Sequence, residues 1–185
     1  IKKISLSKSF FPFWRYQFLV KSLKKNIKPY KINREILGVG DVVFALCYSP
    51  EDKKFYLIKQ FRPFYYVRNE KYKFELVGGL VDRGESIVQA LKREINEEIG
   101  VKTLKLKKLT KYCPVPGYSD EIVHVFYAEV EKIKNTLLYN KFENEEIKVS
   151  KLTLDQLKKI NSSEQIQNVL TKVSIYEYLN KIKKS

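Results

Sequence analysis

Residues 79–101 restrict the fold more than any other part of the sequence, because both ends of a helix are marked within them. Ser86 suits the N-cap, where its hydroxyl can accept a free backbone N–H at the helix start. Gly100 suits the position after the helix, since glycine enters the left-handed conformation without a Cβ penalty. Aliphatic residues recur between them at helical spacing: Val88, Leu91, Ile95 and Ile99. This pattern predicts a helix that packs one face against a core.

Three acidic side chains adjoin the aliphatic face of this helix. Glu94, Glu97 and Glu98 stand at positions i, i+3 and i+4, which places them side by side. Like charges at that spacing repel, and acids near the negative end of a helix dipole reduce helix stability. A solvated acidic face is the ordinary interpretation. A bound hard cation removes the conflict, and Mg²⁺ prefers oxygen ligands and shares its shell with substrate phosphates.

The spacing of the fixed residues resembles the Nudix box, G-x5-E-x7-R-E-U-x-E-E-x-G-U, in which U is aliphatic. The matching positions are Gly79, Glu85, Arg93–Ile95, Glu97–Glu98 and Gly100–Val101. The resemblance implies an enzyme that holds a divalent metal against a diphosphate. We expect Mg²⁺ as the cofactor, with Mn²⁺ as the alternative. We also expect Arg93 to pair with a box carboxylate and fix its orientation.

The rest of the sequence predicts strands and helices in one domain that is long enough to bury a core. Strands are predicted at 31–37, 42–48, 54–61, 71–77, 104–112, 122–130 and 147–152, and further helices at 154–160 and 164–181. Pro63 is expected to end the third of these strands. This order favours an α+β or α/β/α sandwich over a doubly wound parallel sheet. The resemblance implies the α+β class, as a Nudix α/β/α sandwich with a mixed β-sheet.

Segments outside the box resemble the ADP-ribose and nucleotide-sugar diphosphatases among the Nudix hydrolases. They are Leu57–Pro63, Glu75–Glu85, a proline fifteen residues past the box at Pro116, and Glu143–Val149. The resemblance implies attack by water on the diphosphate of ADP-ribose or a UDP-sugar, which gives a nucleoside monophosphate and a sugar phosphate. The sequence leaves the choice between these two substrates open.

The same resemblance implies which residues bind metal. The ligands would be the carbonyl of Gly78 and the carboxylates of Glu94, Glu97, Glu98 and Glu145. Position 78 holds glycine where the relatives hold alanine. We expect this exchange to be neutral, because only the backbone carbonyl is needed.

Catalytic and substrate-binding roles follow from the same resemblance. Glu143 would be the general base that accepts a proton from water, and Glu97 and Glu98 complete the catalytic set. Arg62 would hold the diphosphate, since its planar guanidinium pairs well with phosphate oxygens. The other implied substrate contacts are Glu121 and Pro116.

Much of the net charge of +15 lies near the N-terminus. The first 34 residues hold ten Lys or Arg and no acid, together with several aromatic residues. We therefore divide the chain into a basic aromatic N-terminal arm, residues 1–34, and a Nudix hydrolase domain, residues 35–185. We interpret the arm first as a packing element, such as an added strand or a dimer arm. A transit-peptide remnant and a contact to nucleic acid are the alternatives.

Two other functions compete with the small-molecule hydrolase. An RNA-directed Nudix pyrophosphohydrolase could use the basic arm, but Pro116 and residues 60–62 argue against it. A non-enzymatic Nudix-fold subunit of a ribonucleoprotein assembly would not need the box acids, which this chain keeps in full.

The remaining expectations concern partners and compartment. No run of about 18 apolar residues is present, so no membrane span is predicted. Cys47 and Cys113 lie far apart without metal-ligand spacing, which indicates reduced thiols of an intracellular protein, in the cytoplasm or alternatively in an organelle. The resemblance implies a homodimer that binds a small nucleotide sugar.

Overall fold

The computed structural model describes residues 2–7, 10–140 and 145–183 of the chain. The strands are β1 (Lys2–Ser7), β2 (Phe13–Val20), β3 (Tyr30–Leu37), β4 (Asp41–Ser49), β5 (Lys54–Lys59), β6 (Val77–Leu80), β7 (Thr103–Tyr112), β8 (Ile122–Val130), β9 (Leu137–Asn140) and β10 (Glu145–Leu152). The helices are α1 (Pro63–Val67), α2 (Ile87–Ile99), α3 (Leu154–Asn161) and α4 (Val169–Ile182).

Seven strands form the central sheet, in the order β7-β8-β4-β5-β10-β9, and β6 pairs with β4 outside that path. β4 and β8 run parallel, whereas the other pairs are antiparallel. The predicted mixed sheet is therefore confirmed. One edge of β4 is divided, because residues 42–45 pair with β6 and residues 47–49 pair with β5.

Helices cover both faces of this sheet. On one face, Leu91 of α2 packs in a core with Ile58 of β5. On the other face, Leu157 of α3 and Ile175 of α4 pack in a second core with Leu57 of β5. Successive strand residues point to opposite faces, and each of these side chains is fully buried, which contributes about 1.5–3 kcal/mol apiece. The α/β/α sandwich is confirmed.

α2 begins and ends at the residues that the sequence marks. The Ser86 hydroxyl accepts the Gln89 backbone N–H, and the Gln89 side chain accepts the Ser86 N–H in return, which forms a capping box. Gly100 ends the helix in the left-handed conformation, with a φ of 68°. Val88 departs from the prediction, because it is 43% exposed while Ala90 is buried in its place.

Three predicted elements differ from the structure. Pro63 begins α1 as well as ending the preceding segment, because proline in the first turn needs no N–H partner. The strand predicted at 71–77 is reduced to a bridge between Glu75 and Ile58 ahead of β6. The last helix begins later than predicted, after Asn168, whose side chain accepts two backbone N–H groups.

The N-terminal arm folds into a separate antiparallel sheet, β1-β2-β3. Its third strand runs through the proposed boundary at residue 34. The Leu37 N–H donates to the Tyr118 carbonyl at 2.8 Å, so this end of the sheet is tied to the connection between β7 and β8. Several apolar side chains of the arm are exposed: Ile4, Leu6, Leu19, Leu23, Ile27 and Tyr30.

Two features bear on the predictions about membranes and thiols. Within the described ranges, no helix has the length and apolar character that crossing a bilayer requires. Cys47 is buried in β4 and Cys113 is exposed just after β7, and both are free thiols.

Candidate active site

A cavity of about 470 Å³ lies between α2, β6, the end of β5 and the start of β10. The N-terminal arm also reaches it. The lining residues are Phe10, Phe11, Gln60, Arg62, Gly78, Gly79, Leu80, Asp82, Arg93, Glu94, Glu98 and Glu145. The cavity therefore brings together five of the predicted site residues: Arg62, Gly78, Glu94, Glu98 and Glu145.

Glu98 is a buried carboxylate at this cavity, only 6% exposed. Its Oε2 accepts the Gly78 backbone N–H at 2.8 Å. Burial raises the pKa of Glu98 well above its usual value, and the charges of Glu94 and Glu145 act in the same direction, against the opposing effects of the Gly78 N–H and Arg62. A cation at this position would favour the charged carboxylate. The donor set of the cavity therefore fits a hard metal ion.

Arg93 orients the box carboxylates through charge-assisted hydrogen bonds. Its Nε and Nη2 donate to the two carboxylate oxygens of Glu85 at 3.1 and 3.0 Å. Its Nη1 donates to Glu94 Oε1 at 2.8 Å and to Glu97 Oε2 at 3.1 Å, and Nη2 also donates to the Leu80 carbonyl at 3.0 Å. The predicted pairing of Arg93 with a box carboxylate is confirmed.

Close contacts favour glycine at positions 78 and 79. A Cβ atom at Gly79 would lie 2.4 Å from Glu94 Oε1. A Cβ atom at Gly78 would lie 2.0 Å from the Val43 carbonyl oxygen, and the backbone there has a φ of 154°. β6 thus approaches β4 too closely for a side chain at position 78, and the expectation that glycine there leaves metal binding through the carbonyl unchanged stays a prediction.

Arg62 and Gln60 form another wall of the cavity. Arg62 Nε and Nη2 each lie 2.9 Å from Glu75 Oε2, and the Glu75 side chain is 3% exposed. The Gln60 amide accepts from Arg62 Nη2 at 2.6 Å and donates to Glu145 Oε2 at 3.3 Å. A chain of hydrogen bonds thus runs from buried Glu75 to Glu145 and holds the cavity wall in one arrangement.

Four predicted site residues lie elsewhere. Glu97 is exposed and contacts Arg93, and it does not line the cavity within the described residues. Pro116 is exposed and Glu121 is half-buried in the segment between β7 and β8, and neither is among the described lining residues. Burial raises the pKa of Glu121 above its usual value. Glu143 lies outside the described residues, so its role stays a prediction.

Gln60, Phe10 and Phe11 are among the lining residues that were not identified as site residues from the sequence. Gln60 continues the face of β5 that carries Ile58 towards α2, so strand alternation could have pointed to it. Phe10 is 83% exposed, and its ring meets that of Phe11 edge-on with centroids 4.8 Å apart. No local signal places these two rings at the cavity, because tertiary packing of the arm brings them there.

Known proteins with similar sequences and structures are consistent with this arrangement. The NUDIX domain family model matches residues 39–172. The ADP-ribose pyrophosphatase of Bacillus subtilis (strain 168) is 33% identical over 149 residues, which cover 79% of this chain and 75% of the relative. The GDP-mannose pyrophosphatase of Escherichia coli O1:K1 / APEC is 30% identical over 148 residues, which cover 79% of this chain and 76% of the relative.

A solved structure shares the fold. It is described as a crystal structure of an ADP compounds hydrolase, and it matches with a TM-score of 0.73 at 16% identity, covering 100% of this chain and 93% of the other. The two named relatives are both pyrophosphatases, one of ADP-ribose and the other of GDP-mannose. With the family match over most of its length and the capped acidic helix in place, the chain belongs to the Nudix family of hydrolases.

Proposed function

We propose that this protein uses Mg²⁺ to hydrolyse the diphosphate of a nucleotide sugar, either ADP-ribose or a UDP-sugar. The products are a nucleoside monophosphate and a sugar phosphate. The proposal is carried by the cavity that Glu94, Glu98 and Glu145 line together with Arg62. Such a cavity offers carboxylates to a hard cation and a guanidinium to a diphosphate. The relatives named for ADP-ribose and GDP-mannose support the same substrate class.

The proposed metal ligands are Glu94, Glu98, Glu145 and the Gly78 carbonyl, with Glu97 beside them on α2. The described side chains do not form a cluster of three acidic, His or Cys groups suited to a metal. Mg²⁺ does not need one, because it keeps several waters and takes one or two carboxylates together with substrate phosphates. Mn²⁺ is the alternative. A bound divalent ion supplies neutralisation of the diphosphate charge and a lower pKa for water.

Arg62 is proposed to position the diphosphate. Its Nε and Nη2 contact Glu75 and Gln60, whereas Nη1 has no hydrogen-bond partner among the described residues. The two fixed nitrogens hold the guanidinium plane, so the third can pair with a phosphate oxygen in a defined direction. Glu121 and Pro116 stay candidate substrate contacts on the β7–β8 connection.

Glu143 is proposed as the general base. It precedes Glu145, a residue of the cavity wall, by two positions in the sequence. A carboxylate in hydrogen-bond reach of water accepts its proton while the water oxygen attacks one phosphorus and the bridging oxygen leaves. We expect Glu143→Gln to lower kcat by about 10²–10⁴-fold, the range of a lost general base.

The aromatic residues of the arm are proposed to contact the nucleobase. Phe10 and Phe11 line the same cavity as the carboxylates, and both present ring surfaces there. A flat base can pack on such rings, which adds apolar contact to the polar recognition of the diphosphate. Residues 1–34 would then act as a substrate-binding arm and residues 35–185 as the hydrolase domain.

We also propose that the protein is a homodimer through the arm. The exposed apolar side chains on β1, β2 and the β2–β3 connection form a surface of the kind that marks protein–protein contacts. Sedimentation equilibrium of the full chain would measure the mass. A monomer at micromolar concentration would contradict this part of the proposal.

The proposed activity is tested by product release from a panel of substrates with and without Mg²⁺. The panel contains ADP-ribose, UDP-glucose, GDP-mannose and capped RNA. We expect Mg²⁺-dependent cleavage of a nucleotide sugar, and we expect Glu98→Gln to reduce it by more than about a hundredfold, the upper end of what outer metal-site partners cost. Glu164→Gln, at an exposed glutamate far along the chain, is the matched control and should keep full turnover.

Two outcomes would overturn the proposal. Preferential cleavage of capped RNA would move the assignment to the RNA-directed class. Equal turnover in Glu98→Gln and Glu164→Gln would show that the cavity is not where hydrolysis occurs.

A further inference from the structure

A second cleft, of about 550 Å³, lies where the end of β5 pairs with the start of β10 and β10 pairs with β9. Lys59, Lys148 and Leu137 line it, together with Lys71 and Tyr72. Lys148 is the Cα partner of Lys59 in β5 and of Leu137 in β9. Paired residues of neighbouring strands point to the same face of a sheet. The cleft therefore contains one row of side chains that crosses three strands.

This row lies on the face of the sheet opposite to the catalytic cavity. Successive residues of a strand point to opposite faces. Leu57, which shares a face with Lys59, belongs to the core beneath α3 and α4, whereas Ile58 belongs to the core beneath α2. Gln60 shares the face of Ile58 and lines the catalytic cavity. The cleft is thus separate from the site of hydrolysis.

Lys59 and Lys148 are like charges placed directly opposite each other across two strands. This arrangement destabilises a sheet unless something compensates it. Neither ammonium takes part in an ion pair among the described residues. Burial lowers the pKa of Lys59, and the charges of Lys148 and Lys73 act in the same direction. Among the residues that the structure describes, the pair therefore has no acidic partner that compensates its charge.

The acidic residues of the cleft do not supply that anion. Glu70 is engaged by Lys73, with Nζ 2.9 Å from Oε2. Glu146 also lines the cleft but forms no ion pair with Lys59 or Lys148 within the described ranges. Because Lys73 neutralises Glu70, the remaining charged side chains that line the cleft are three lysines and one glutamate. The local charge is positive.

An apolar wall stands beside these lysines. Tyr72 is 52% exposed and Leu137 is 58% exposed, and both line the cleft. Lys59 Nζ also lies 3.9 Å from the centroid of the Phe74 ring, and this cation–π contact helps to fix the lysine side chain. Paired cations next to an aromatic and an aliphatic surface can receive a ligand that has a charged end and an apolar end.

We propose that this cleft binds a small molecule through a phosphate group, which lies between Lys59 and Lys148. A phosphate anion removes the repulsion between the two ammonium groups and accepts hydrogen bonds from both. Where the phosphate is part of an ester, its organic body packs against Tyr72 and Leu137. No residue of the catalytic cavity takes part, so this site is independent of the proposed hydrolysis.

The test follows individual lysines of the full-length protein by NMR after ¹³C-dimethylation. Inorganic phosphate and AMP are titrated separately at low ionic strength, where charge contacts are least screened. EDTA is present so that metal-dependent binding at the catalytic cavity does not contribute. Signals of Lys59 and Lys148 are assigned from the variants Lys59→Gln and Lys148→Gln.

We expect both signals to shift with one saturable Kd. Each variant should weaken binding by about tenfold, the effect of losing one charge-assisted hydrogen bond. Lys108→Gln is the matched control, because Lys108 is an exposed lysine on β7 at the opposite edge of the same sheet. Tighter binding of AMP than of inorganic phosphate would identify an ester as the ligand, and equal binding would identify free phosphate.

The proposal is overturned if the Lys59 and Lys148 signals move no more than that of Lys108, or if sodium chloride reproduces their shifts. Lys148 is exposed, so its variant keeps the test available if the half-buried Lys59 cannot be replaced without loss of folding.

Discussion

Alanine at position 78 would place its Cβ atom inside the backbone of β4. That atom would lie 2.0 Å from the Val43 carbonyl oxygen and 2.8 Å from the Phe44 Cα atom. Neither backbone atom can rotate away as the end of a side chain would. Overpacking of this kind costs about 1–3 kcal/mol, and a backbone conformation that favours glycine adds about 1–3 kcal/mol. We therefore expect Gly78→Ala to lower the free energy of unfolding by about 2–6 kcal/mol, a large part of a typical total of about 5–15 kcal/mol.

Two other glycines separate the contributions of strain and contact. Gly84 has a φ of 86° but nothing within 4 Å of its Cβ position, so Gly84→Ala should cost about 1–2 kcal/mol through the backbone alone. Gly117 has neither a positive φ nor a neighbour within 4 Å, so Gly117→Ala should change stability by no more than about 0.5 kcal/mol.

Urea unfolding followed by circular dichroism measures these differences, provided that the dependence on denaturant is the same in all variants. Gly79→Ala completes the series, because its Cβ meets the movable Glu94 side chain, with Oε1 2.4 Å away. This variant should lose Mg²⁺-dependent turnover more than stability. Equal free energies of unfolding for Gly78→Ala and Gly117→Ala would refute the reasoning about β4 and β6.

Two further predictions concern charges. Arg93→Lys keeps the charge but cannot contact both oxygens of Glu85 and the α2 acids together, so we expect a loss of about 1–3 kcal/mol in urea unfolding; a variant as stable as the parent would contradict this role. The pKa of Asp52 is lowered from 3.8, first by its hydrogen bond from Lys151 and then by that from Tyr56. A lowered folded-state pKa stabilises the protein above the unfolded pKa, and this contribution is lost as the pH falls through the folded pKa. Lys151→Gln should therefore flatten the acid limb of a plot of stability against pH, and an unchanged limb, matching that of Lys108→Gln, would argue against it.

The sequence was sufficient for α2 because the signals for this helix are local. Ser86 and Gly100 mark its ends, and each acts on backbone groups within the same helix. The pairing of Arg93 with Glu97 follows from positions that are four residues apart on the helix. A regular spacing can reveal such contacts, because helix geometry fixes them before any tertiary structure forms.

The other walls of the cavity depend on long-range packing. Gln60 reaches Glu145 because β5 pairs with β10, which the residues around Gln60 do not reveal. Phe10 and Phe11 lie between β1 and β2, and neither of these strands was predicted from the sequence. Glycine is favoured at position 78 because of close contacts with β4, whose residues lie much earlier in the sequence. Local pattern cannot predict a contact whose partner is set by the fold.

Because two strands, β6 and β5, share one edge of β4, two parts of the cavity wall are supported separately. The carboxylates of α2 rest on β6 through Gly78 and Gly79, while Arg62 and Gln60 extend from the end of β5. Residues 60–76 connect the two supports and make only one bridge to β5 on the way. Insertions or deletions in that connection can reshape the mouth of the cavity while α2, the proposed metal-binding helix, stays in register. Inherited change can thus alter the proposed recognition of the sugar without rebuilding the carboxylate site on α2.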